Sequence, residues 1–200
     1  RPEGRSLRQL MDYQKPCFHL SSRDGVSPDI LPGMLPVDRA AWNETPAFLG
    51  WPAELQRVHA AMTEASTRLV NGLEVLLDEP KGSALELMWL SGMNHLGVEL
   101  VERVAHLHAY EDKSVLPQFL SMFPEMELAV ELLERDHVVL DNVLTRSREL
   151  FLALKPEVSA KSDMNIALRS AKELQKVLHR HTYDEEDLLI PSLLHGEVHY

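Results

Sequence analysis

The sequence predicts an all-α fold: an up-down-up-down four-helix bundle preceded by an irregular, proline-rich N-terminal arm. Three observations predict it. Four long stretches carry apolar residues at three- and four-residue spacing, the signature of helices with one buried face. Short connections holding Pro or Gly separate them, which favours antiparallel neighbours. No alternating apolar/polar run competes as a strand.

The arm comes first, over residues 1–52. It holds seven of the twelve prolines together with Gly25, Gly33 and Gly50, and shows no sustained periodicity. At most one short helix is expected, in "SLRQLMDYQ". Trp42, Phe48 and Trp51 are large enough that the later part of the arm is expected to pack on the body. The bundle domain is expected over residues 53–194, with a tail at 195–200. Its first helix spans about 53–78, with Leu55, Val58, Met62, Leu69, Leu73 and Leu76 in phase and Pro80 and Gly82 as breakers. The second opens at Ser83, with Glu86 three residues on in a capping-box pattern, and continues to about 113, before Pro117. The third starts near Pro124, a favourable first-turn residue, and reaches about Leu154. The fourth begins near Ser162 or Asp163 and passes Glu186 to close near Pro191.

Composition narrows the function. A net charge of -11 over 200 residues argues against nucleic acid and against anionic membrane surfaces. No apolar run approaches the roughly 18 residues needed to span a bilayer. The chain as given opens without a signal-peptide pattern. A single cysteine, Cys17, permits no internal disulfide framework and fits a cytoplasmic location. Nucleophilic triads, phosphate loops and dinucleotide fingerprints are absent from the sequence.

The histidines carry the chemical signal. There are ten, and helical phase divides them. His59 lies between Leu55 and Met62; His108 follows Leu100 and Val104; His137 follows Leu133 and precedes Leu140; His181 follows Leu174 and Leu178. These four face the interior. His95, His106 and His179 fall with polar neighbours and point to water, so the repeated "HLH" and "HRH" each contribute one inward imidazole. A single inward histidine reads as a core imidazole satisfied locally. Four together are harder to reconcile with that reading, because each buried polar group left without a partner costs about 1–3 kcal/mol. Carboxylates join them: Glu111 and Asp112 lie three and four residues after His108, Glu185 and Glu186 four and five after His181, and Asp141 four after His137. In an up-down bundle all four histidines fall within roughly 10 Å of one level, at ~1.5 Å rise per residue. Mixed imidazole and carboxylate donors without Cys suit iron, manganese or zinc. Six or more candidates exceed the four ligands of one tetrahedral zinc, which points to two ions sharing carboxylates.

In this order the residues resemble the hemerythrin-like family, the HHE cation-binding domain. The resemblance rests on His59, then "HAYEDKSVLP" with His108 and Glu111, then "RDHVVLD" with His137, then "HTYDEEDLLIP" with His181 and Glu185, and it covers about residues 53–194. It implies a four-helix bundle holding a non-haem di-iron centre, oxo- or carboxylate-bridged, with Glu111 and Glu185 as bridging carboxylates. It also implies a small diatomic or peroxide as the ligand, either bound and sensed or, alternatively, activated by an oxidase- or oxygenase-type enzyme. A metal-free interaction bundle has least support. The metal set drawn from the sequence is therefore His59, His108, Glu111, Asp112, His137, His181 and Glu185. Two departures from the family pattern stand out. The family often spaces the second-helix His and Glu by four; here the spacing is three, so His108 pairs either with Glu111 or with Asp112. Oxygen carriers also have a second third-helix histidine four after the first, where this chain has Asp141, which favours sensing or irreversible oxidation chemistry over reversible carriage.

Overall fold

The structure, a computed structural model, describes residues 11–30, 38–79 and 84–196. All regular structure among the described residues is helical. The residues from Ser6 to Leu10, Pro80, Gly82, the Ser83 cap and His199 lie outside them.

Among the described residues six α-helices follow one another: α1 (Trp51–Asp78), α2 (Ala84–Ser91), α3 (Met93–Tyr110), α4 (Leu116–Met122), α5 (Glu127–Ala153) and α6 (Lys161–Gly196). The first and third expected helices are found as α1 and α5, the latter introduced by a 3-10 turn at Pro124–Met126. The second is corrected. It is broken at Gly92, whose φ of +73° is strained for any residue with a Cβ, so α2 stops and α3 begins there. Nor does it end before Pro117. A π-helical turn at Glu111–Val115 leads into α4, which carries Pro117 in its first turn, where its missing N–H costs little. The fourth expected helix does not close at Pro191 either, since α6 runs on to Gly196. An interior proline costs about 3 kcal/mol. Burial of Leu188, Leu189, Ile190 and Leu194 around it offsets that cost. In the arm, Met11–Gln14 is irregular rather than helical.

The chain forms two compact units. One comprises residues 59–110 and 138–179. Here α1, α3, α5 and α6 bury Leu69, Leu73, Leu100, Val104, Leu140, Leu144, Phe151, Leu174 and Leu178. Polar contacts align the helices: Gln175 Nε2 donates to Thr67 Oγ1 at 3.1 Å, Lys161 Nζ to the Glu79 carbonyl at 2.9 Å, and Ser147 and Ser170 share a buried hydroxyl bond of 2.8 Å. α3 comes close to α5 at Gly97, where an added Cβ would lie 2.9 Å from the Phe151 ring.

The other unit comprises residues 1–58, 111–137 and 180–200. Its arm makes short 3-10 turns, among them Arg39–Glu44, capped where Asp38 Oδ1 accepts from Ala40 N at 3.0 Å. Trp42 and Phe48 are buried and Trp51 is partly exposed. Arg39 stacks 3.8 Å over the Tyr183 ring and pairs with Glu186 at 2.7 Å and Asp187 at 2.8 Å, tying this turn to α6. No helix among the described residues is long and apolar enough to cross a membrane.

The Gly97 contact is testable. Gly→Ala inside a helix ordinarily stabilises by up to about 1 kcal/mol. Gly97→Ala is expected instead to lose about 1–3 kcal/mol in urea unfolding, because the buried Phe151 ring has no room to yield. Gly72→Ala, which meets the flexible end of Met93, is expected to cost less.

Candidate metal centre

α6 carries two of the candidate donors. His181 and Glu185 lie one turn apart and are both about 1% exposed, with His181 Nε2 3.5 Å from Glu185 Oε2. α5 supplies His137, whose Nε2 lies 3.1 Å from His181 Nε2 and 3.6 Å from Glu111 Oε2. Glu111 opens the π turn. A π turn closes on a wider ring than an α turn, so each residue advances less around the axis. Glu111 is thereby buried, while the next residue, Asp112, reaches His137 from the rim with its side chain 47% exposed.

Both imidazoles are held from behind. His137 Nδ1 donates to Asp112 Oδ1 at 2.6 Å, and His181 Nδ1 to Asp136 Oδ2 at 3.4 Å. A carboxylate only accepts, so each ring carries a proton on Nδ1 and turns its Nε2 towards the other. Two Nε2 atoms 3.1 Å apart can share a proton or turn both lone pairs to one cation. The separation suits one: at ~2.0–2.1 Å from a metal, two nitrogens at roughly right angles sit about 3 Å apart.

His59 on α1 and His108 on α3 are buried as well. Two groups have one ligand atom per residue, all within 4.8 Å of one another: His108, Glu111, His137 and His181; and His59, Glu111 and Glu185. Glu111 belongs to both, and its two oxygens allow it to serve both. The donors are imidazole and carboxylate without thiolate, so the set fits hard or borderline first-row ions such as iron, manganese or zinc.

Six of the seven sequence-derived candidates thus come together. Asp112, the seventh, is in neither group and meets His137 instead. Asp141 is exposed and Glu186 is engaged by Arg39; neither is in a group. His95, His106 and His179 are exposed, as their phase predicts, and so are Tyr110 and Tyr183.

Sequence reading passed over the charges behind the site. Asp136 and Asp184 are fully buried, with Arg23 between them. Arg23 Nε donates to Asp184 Oδ2 at 2.7 Å, Nη1 to Asp136 Oδ1 at 2.8 Å and Nη2 to Asp136 Oδ2. Arg180 closes the far side of Asp184. Two positive and two negative charges balance. Burial alone would raise the Asp136 carboxyl, but hydrogen bonds from Arg23 and His181 outweigh it and hold the group below the ordinary aspartate range. Burial also holds His181 below the usual histidine range, against the pull of Asp136. Only the adjacency of Asp136 to His137 and of Asp184 to Glu185 hinted at this layer; Arg23, more than a hundred residues away in the chain, left no sequence trace.

A model of the hemerythrin HHE cation-binding domain matches residues 53–193. No curated protein and no solved structure matches the chain.

The sign of the Asp136 shift sets a pH dependence. A carboxyl lowered on folding contributes stability that is fully present above its unfolded value, about 3.9, and lost as pH falls through the native value. Neutral His181 adds its own loss, beginning below about pH 6.5. Asp136→Asn is therefore expected to be less stable at pH 7, where it leaves Arg23 short of a counter-charge. Its urea unfolding free energy is also expected to fall less steeply than the wild type's between pH 5 and pH 3.

Proposed function

We propose a function from one premise: the chain belongs to the hemerythrin HHE cation-binding domain family. The protein is a non-haem di-iron protein that binds or senses oxygen or a related small oxidant. The observation that carries this reading is Glu111, a buried carboxylate common to two metal-capable groups, which is what two adjacent ions require.

His108, His137 and His181 with Glu111 would hold one ion; His59 and Glu185 with Glu111 would hold the other. Bound iron supplies redox electrons and coordination positions for a small oxygen species. The chain supplies the rest. Asp112 and Asp136 fix the Nδ1–H tautomers that present Nε2 of His137 and His181 inward. Val104, Leu133, Leu140 and Leu178, each one turn from a donor histidine and all fully buried, limit water at those donors. The second group offers three protein donors against the first group's four, so an ion there would have more room for a small ligand. Asp112 is assigned the outer role rather than ligation.

Metal analysis of the aerobically purified chain is expected to find about two irons, one for each group, together with near-ultraviolet charge-transfer bands. His59→Ala should lose one of the two, and Glu111→Ala should weaken both. A metal-free wild type, or a colourless single-zinc protein, would overturn the reading.

A further inference from the structure

The segment that precedes α1 is outside the matched domain, yet two of its side chains reach the layer behind the candidate metal centre. We propose that Tyr13 and Arg23 are positioning residues for His181, acting through Asp136. The proposal rests on the metal-binding reading above and adds to it the part of the chain that aims one ligand.

Asp136 accepts from three partners. Oδ1 takes the Tyr13 hydroxyl at 2.5 Å and Arg23 Nη1 at 2.8 Å; Oδ2 takes Arg23 Nη2 and, at 3.4 Å, His181 Nδ1. The His181 bond is long for N–H···O, so it does not itself hold the carboxylate. Tyr13 and Arg23 do. Arg23 is fixed in turn: its Nε is bonded to Asp184 and its Nη1 also reaches the Phe18 carbonyl at 2.7 Å. Its planar fork therefore dictates the plane of Asp136. Tyr13 is buried, and its oxygen also accepts from Leu20 N at 3.4 Å, which aims its proton at Oδ1.

Stability alone is a weak reason for this arrangement, because a buried ion pair commonly does no better than apolar residues of similar size. What apolar residues cannot provide is a hydrogen-bond acceptor, held in place, facing His181 Nδ1. That acceptor selects the tautomer whose Nε2 lone pair lies 3.1 Å from His137 Nε2 and 3.5 Å from Glu185. A tautomer exchange would put a proton where the ion binds.

The test uses the whole 200-residue chain, wild type and as Tyr13→Phe, Arg23→Lys and the control Arg148→Lys, whose exposed side chain pairs with Glu102 at 3.2 Å. Two quantities are read: the His181 tautomer in the metal-free protein, from imidazole nitrogen NMR, and the ferrous iron affinity by chelator competition. The wild type and Arg148→Lys are expected to show a single Nδ1–H tautomer. Tyr13→Phe and Arg23→Lys are expected to show mixed tautomers and about 10- to 100-fold weaker iron binding. Tyr13→Phe keeps the ring and so decides the question if Arg23→Lys fails to fold. Variants that lose thermal stability but keep both the tautomer and the affinity would reduce Tyr13 and Arg23 to packing and overturn the proposal. If the wild type binds no iron, the di-iron reading falls, and the tautomer comparison still decides whether Tyr13 and Arg23 set His181.

Discussion

Arg23 brings a full positive charge into the protein interior, and much of its surroundings is arranged to meet it. Left alone such a charge is prohibitively costly to bury; here it lies between two buried carboxylates with its fork satisfied on both edges. The arrangement fixes three stretches far apart in the chain: the segment before α1, the first turns of α5 and the last turns of α6. Since Asp136 and Asp184 sit beside His137 and Glu185, whatever fixes the acids also fixes the neighbouring donors.

A second constraint is local and covalent. The π turn at Glu111–Val115 places consecutive carboxylates in different roles, Glu111 buried and Asp112 at the rim against His137. A regular α-helix ending before Pro117 was the simpler expectation. The wider turn explains how a His–Glu spacing of three, one short of the family's usual four, still brings His108 and Glu111 into one group. Glu111 belongs to both metal-capable groups; Asp112 belongs to neither and meets the His137 ring.

The remaining contacts keep this layer in place. Arg39 fastens a 3-10 turn of the arm to α6 beside Glu186, and Gly97 lets α3 approach the Phe151 ring on α5. Both hold helices whose phase decides which imidazoles face inward, so small errors in packing would be felt as misdirected ligands.

Helical class, the inward sense of His59, His108, His137 and His181, the outward sense of His95, His106 and His179, and six residues of the two metal-capable groups were legible from the chain, because they follow from a 3.6-residue period that local sequence expresses directly. His108 against His106 and His181 against His179 are separated by phase alone, and burial agrees. The break at Gly92, the π turn and the passage of α6 through Pro191 were not legible. At the proline a local backbone preference is outweighed by the burial of Leu188 and Ile190, which depends on what packs against them and not on the local pattern. Least legible was the pairing of Arg23 and Tyr13 with Asp136. No period or spacing relates residues 113 and 123 positions apart. The sequence determined which side chains face the interior; only the tertiary structure decided which charges meet there, because long-range pairing is set by the packing of whole helices and not by the chain near each residue.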